Sequence, residues 1–402
     1  MTKRVTDEMK KAAAVDLWNQ LLDRARANEW SSFQDPEYAV TDTDRERVTQ
    51  AYLDAGWHLD EIKILGERNR QLAVSAPITS EGVNRNSEVM LGRLVRPLMG
   101  GLSPTDRLRA EEAHFVVEPK AGPLVSTINV PMTSESIIAM GTHFTRYCGL
   151  IARAYVRTCN LQPFATGTLY KESDLRLKLR RNPDLLFYWW SIFTSYALTG
   201  THCLTEFKPS TRSEVLLMEQ MAAAMEIFAL AHELGHHCLA HGRKFNALHD
   251  SRSEEFEADL FAVKLCETIE RTAEYQEMQG YFFQNPYLWS GAGGILLLGS
   301  IEIFRKVKEK IFYNPRFDTH PEFADRADKI IHRNVLEIAS YETRLDFCSS
   351  ARNILRCVLL ELEPIMRVWP FKELSSKLPD DWEVAQQKLT RSLVPGGLQD
   401  SI

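Results

Sequence analysis

Residues 231–242, AHELGHHCLAHG, hold four of the chain's eleven histidines. Among them His232, Glu233 and His236 form H-E-x-x-H. On a helix, His232 and His236 share one face with their Cβ atoms about 6 Å apart, so both imidazoles can reach one ion. Glu233 then lies about 100° further round, close enough to act on a water held by that ion without becoming a ligand. The flanking residues Met225, Ile227, Phe228, Leu230 and Ala231 are apolar. That is a poor setting for idle polar groups, which cost free energy when buried without a partner.

A hydrolytic zinc site of this kind needs a third protein ligand. The segment SEEFEADLFAVKL, 253–265, supplies one: Glu255 and Asp259 are again four residues apart, on a predicted helix capped by Ser251 with Glu254. Glu255 completes a His-His-Glu set for one Zn2+ per chain, and Asp259 orients a ligand imidazole through its free N–H. His237 points away from the ligand face and His241 lies one turn beyond it. Packing, or contact with the helix C-terminal dipole, is the expectation for both. Cys238 reads as a buried free thiol.

HELGH followed by EFEAD resembles the gluzincin zinc metallopeptidases, and with THPEFADR, 319–326, it is similar to the HtpX and type I CAAX prenyl protease family. The resemblance implies a zincin-like catalytic domain and a zinc-dependent endopeptidase. It assigns His232, His236 and Glu255 as zinc ligands, Glu233 as general base and Asp259 as support behind the ligands. His320 and Arg326 would face the substrate or the oxyanion. Membrane members of that family carry a longer insertion between H-E-x-x-H and the glutamate. The short gap here also resembles the ImmA/IrrE-type peptidases, which cleave regulators. Thr319 and Glu322 can form a capping box, a structural reason for part of the third motif. A zinc-stabilised regulatory or scaffold protein is the reading of a different class, marked by a closed four-ligand site rather than an open position.

These residues need helices and a small sheet to position them. Helical spacing covers 134–158, 213–241, 254–278, 287–312, 321–341 and 343–363, with a capping box at Thr211 and Glu214 and a stop at Gly242. The runs 114–118 and 124–130 are β-branched and predict a small hairpin or two edge strands, one of them the substrate-binding edge. Residues 1–75 read as amphipathic helices with Val15, Leu17, Trp18, Leu21 and Leu22 as apolar positions. The fold class is mainly α (α+β). The segments are 1–110 (helical), 111–204 (mixed strand and helix), 205–340 (zincin-like) and 341–402 (helical, with a tail).

Composition narrows the remaining classes. A 402-residue chain, 44% hydrophobic, can bury a full core. Its net charge of −6 offers no basic surplus, so nucleic acid is not an expected partner, whereas a protein or peptide substrate is what the resemblance implies. Seven cysteines without a CxxC pair, and a charged N-terminus without a signal-peptide core, predict a cytoplasmic protein. Segment 185–204 has the length of a membrane span but carries Ser191, Thr194, Ser195 and Thr199, which suits a buried helix or a peripheral contact better. The Gly-Ala-Gly-Gly of 291–294 lacks the Gly-Lys-Ser/Thr of a phosphate loop and predicts close helix packing. Neither pattern nor charge specifies an oligomeric state.

Overall fold

The computed structural model describes residues 13–17, 19–20, 42–64, 66–67, 85–118, 124–159, 171–202, 205, 208–243, 251–279, 284–312, 321–332 and 338–368. It is mainly helical with one small three-stranded sheet, as the sequence patterning predicts. The helices are α1 (Asp42–Asp54), α2 (Arg85–Gly101), α3 (Pro104–Ala110), α4 (Phe144–Cys159), α5 (Glu172–Arg181), α6 (Pro183–Thr199), α7 (Arg212–Cys238), α8 (Ser251–Ile269), α9 (Ala273–Gln279), α10 (Pro286–Trp289), α11 (Ala292–Phe312), α12 (Phe323–Ile331) and α13 (Ile338–Val368). The strands are β1 (Ala113–Glu118), β2 (Val125–Asn129) and β3 (Ser136–Gly141).

The sheet corrects one expectation and decides another. Residues 136–141 form β3, not the start of a helix, which begins only at Phe144. Strand β3 lies between the other two, parallel to β1 and antiparallel to β2. The runs around 114–118 and 124–130 are therefore two edge strands rather than a hairpin. All of β3 is buried: Ile138 and Met140 enter the main core, whereas Ile137 meets Ala14 and Val130 on the other face. Val15, expected to be a buried apolar position, is exposed; Trp18, Leu21 and Leu22 lie outside the described residues.

Helix α7 runs through the core. It starts at the predicted capping box, where the Thr211 N–H donates to Glu214 Oε2 at 2.8 Å. Met221, Ala224, Met225, Ile227, Phe228, Leu230, Ala231 and Leu234 are all buried along it, so it is apolar nearly all round, as a central helix must be. Among the described residues α7 is also the one helix long and apolar enough to cross a membrane, and most of it is covered by protein. Helix α6, the other membrane candidate by sequence, buries Leu185 and Tyr188 through Thr199 in the same molecule. The glycines of 291–294 allow close packing: a Cβ on Gly293 or Gly294 would collide with Ala224 or Phe228 of α7.

Two further helix boundaries differ from the periodicity. The stretch 254–278 breaks after Ile269 and resumes at Ala273, and the stretch 321–341 stops at Ile331. At Gly235 a Cβ would sit 3.1 Å from Phe261 and 3.3 Å from Ala258, so the helix-interior glycine lets α8 lie close against α7. His232 meets Asp259, His236 meets Glu255 and Gly242 meets Glu254, so α8 runs antiparallel to α7.

Candidate metal centre

The α7–α8 pair brings three acceptor groups together. His232 Nε2 lies 3.1 Å from His236 Nε2, and Glu255 Oε2 and Oε1 lie 3.5 and 3.6 Å from those two nitrogens respectively. Asp259 Oδ1 stands 3.0 Å behind His232 at Nδ1. A neutral His232 that keeps its proton on Nδ1, toward Asp259, presents a bare lone pair at Nε2. Lone pairs and a carboxylate converging at such distances repel one another unless a cation or a proton sits between them. The group His232, His236 and Glu255 could hold a metal ion, and among the described residues no fourth His, Cys, Asp or Glu joins it.

Burial and charge set the protonation of the group. Burial opposes the charged form of His232, but Asp259 and Glu255 outweigh it and push its pKa up to about 9. Burial and the neighbouring His232 charge push His236 down to about 3. The two rings thus share one positive charge, which a divalent ion could replace while leaving both neutral. Burial raises Glu233 above the usual carboxylate range against the pull of His232 and the Thr127 hydroxyl, and the Glu255 charge adds to the rise. Asp259 is buried as well, yet the guanidinium of Arg326 outweighs burial and holds it below its usual range.

Arg326 comes from α12. Its Nε and Nη2 grip Asp259 at 2.7 and 2.6 Å, and its Nη1 lies 3.2 Å from Glu255 Oε2. It therefore acts on the carboxylates around the metal position, a role the spacing of THPEFADR did not specify. His320 and Thr319 lie outside the described residues. Glu322 is the N-cap residue of α12 and makes no side-chain cap bond. Glu254, expected to cap α8 with Ser251, accepts from the N–H of Gly242 at 3.1 Å.

His237 behaves as a packing residue, its ring bonded to Ser136 Oγ at 2.9 Å and to the Arg109 carbonyl at 2.8 Å, and Cys238 is a buried free thiol. His241 does not. Its Nδ1 lies 2.9 Å from Nδ1 of His236 and its Nε2 lies 3.2 Å from Glu257 Oε2. The turn after α7 produces this contact. The N–H of His241 bonds the His236 carbonyl and that of Ala240 bonds the His237 carbonyl, a Schellman arrangement with Ala240 in the left-handed region at φ 57°. A glycine at 240 would have marked the turn in the sequence; an alanine hides it.

The group opens on a cleft of about 850 Å³. One wall is β2, including Val125, Ser126 and Thr127; another is apolar, including Phe144, Phe228, Leu297 and Ile301. Glu233 and Arg326 also face it. The Thr127 hydroxyl donates to the Glu233 carbonyl at 2.9 Å and locks the strand to the helix. Comparison of the chain with protein-family models, with curated proteins and with solved structures finds no match in any of the three.

Proposed function

We propose that this chain is a zinc-dependent endopeptidase of gluzincin type, with His232, His236 and Glu255 as ligands and Glu233 as general base. The observation that carries the reading is a three-ligand group, two imidazoles and a carboxylate, on the wall of a cleft with a strand edge beside it. A tetrahedral ion with bonds of about 2.0–2.1 Å holds its ligand atoms about 3.3–3.4 Å apart. The two imidazole nitrogens are 3.1 Å apart, and each has a different Glu255 oxygen at 3.5 or 3.6 Å, so the set lies within reach of one such ion. When bound, zinc would supply Lewis-acid polarisation of the scissile carbonyl and make a water more acidic.

The remaining work falls to the chain's own side chains. Glu233, raised in pKa, takes the proton of the attacking water and passes it to the leaving amine nitrogen. An extended peptide adds to the free edge of β2, whose position against Glu233 the Thr127 bond fixes. Phe144, Phe228, Leu297 and Ile301 accept a non-polar side chain next to the scissile bond. Asp259 orients His232, and Arg326 holds Asp259 and Glu255 in place. His320 keeps the substrate-side role that the family resemblance assigns to it. The six buried free thiols among the described residues, Cys238 among them, suit a reducing compartment such as the cytoplasm.

The test is proteolysis of whole-cell proteins by the purified zinc-loaded chain, with new N-termini read by mass spectrometry. Cleavage next to bulky apolar residues, abolished by Glu233→Gln, is the expected result. Identical new termini from Glu233→Gln would remove the mechanism. The absence of new termini from the zinc-loaded wild type would favour a scaffold.

A further inference from the structure

His241 and Glu257 extend the metal centre by a step that the ligand motif does not contain. His236 can offer Nε2 to a metal only when its proton is on Nδ1. That Nδ1 is 2.9 Å from Nδ1 of His241, whose other nitrogen is 3.2 Å from the carboxylate of Glu257. The hydrogen bonds can run in one direction only: His236 Nδ1–H donates to His241 Nδ1, and His241 Nε2–H donates to Glu257. His232 has its own support in Asp259, so each imidazole has a separate partner behind it.

The chain commits backbone to this contact. Ala240 occupies the left-handed region at φ 57°, a conformation that residues with a Cβ rarely adopt. The result is a turn that folds His241 back beneath His236. The Asn129 side chain donates to the His241 carbonyl at 3.1 Å, and Glu254 accepts from Gly242 at 3.1 Å, so β2 and α8 clamp the turn from both sides. The His241 ring is buried, whereas Glu257 reaches solvent.

We propose that His241, backed by Glu257, is a positioning residue that holds His236 in the metal-binding tautomer and orientation. The inference rests on metal binding by His232, His236 and Glu255 and does not need the peptidase reading. Loss of such a partner behind a ligand typically weakens metal affinity 10–100-fold.

The experiment titrates the purified full-length chain with Zn2+ against a chromophoric chelator and records the visible spectrum of its Co2+ form. His241→Leu removes the acceptor and should weaken Zn2+ binding about 10–100-fold with an altered Co2+ spectrum. His241→Asn, whose amide oxygen stands in for Nδ1, should recover most of the affinity, and Glu257→Gln should show a smaller loss. Thermal unfolding of each variant in chelator separates folding from positioning, because a purely structural role makes metal affinity follow metal-free stability. Wild-type affinity and spectrum in His241→Leu would overturn the proposal. So would equal affinity losses in His241→Asn and His241→Leu that track their metal-free stabilities. A wild-type chain that binds no Zn2+ would overturn both this inference and the metal reading beneath it, and is distinguishable because it fails before any substitution.

Discussion

Replacing Arg326 with methionine removes the one guanidinium gripping Asp259 and keeps a long side chain in its place. Arg326 and Asp259 are both buried and joined by two bonds of 2.7 and 2.6 Å. Removing one partner of such a pair leaves an uncompensated buried charge and costs about 3–5 kcal/mol, a large share of a total stability of about 5–15 kcal/mol. The loss should be greatest without metal, because Glu233, Glu255 and Asp259 then crowd together with His232 as their neighbouring counter-charge. A divalent ion at 100 times its Kd would return about 2.7 kcal/mol if it binds the folded state alone.

The pH dependence should change. In the wild type Asp259 is held below its usual range, so its contribution is present at neutral pH and lost on acidification through its folded pKa. In Arg326→Met the largest opposing pull is gone, so the folded pKa of Asp259 moves up and its contribution at neutral pH shrinks. Urea unfolding at several pH values, with and without chelator, measures both effects. In Arg326→Met, Asp259→Asn should cost much less than in the wild type, because the pair no longer exists. A loss below about 1 kcal/mol in chelator, or strict additivity of the two substitutions, would refute the reasoning.

Three other outcomes follow from the same geometry. Zinc bound as proposed would displace the His232 proton, so affinity should rise about tenfold per pH unit up to about 9, with about one proton released per ion, as calorimetry in buffers of different ionisation enthalpy can show. Gly235→Val forces carbon against Phe261 and Ala258, so it should destabilise the fold by about 1–3 kcal/mol and weaken metal binding as α8 moves away, read by denaturation and metal titration. Glu226 is buried in α7 with its carboxyl pushed up to about 8 by burial, so native stability should fall with pH from the ordinary carboxylate range to about 8; Glu226→Gln should abolish that slope in urea unfolding.

The convergence of His232, His236 and Glu255 was legible because its geometry is local. Spacings of four residues on two helices place each pair of side chains on one face, and the antiparallel packing of α7 and α8 then needs only Gly235 at the crossing. The start of α7 was legible for the same reason, since a capping box closes within three residues. Strand β3 was not. Its SIIAMG is buried on both faces, and a continuous apolar run carries no period to tell strand from helix. The grip of Arg326 on Asp259 spans 67 positions, and no local pattern records such a partner. His241 was missed because the turn that redirects it depends on an alanine in a conformation that sequence reading assigns to glycine.

The central claim is that His232, His236 and Glu255 together hold one zinc ion. Elemental analysis of the purified chain after exhaustive dialysis tests it most directly, with Glu233→Gln and Glu255→Ala prepared alongside. One zinc per chain in the wild type and in Glu233→Gln, and little or none in Glu255→Ala, is the predicted result. Iron in place of zinc, no metal in the wild type, or a full complement in Glu255→Ala would contradict it.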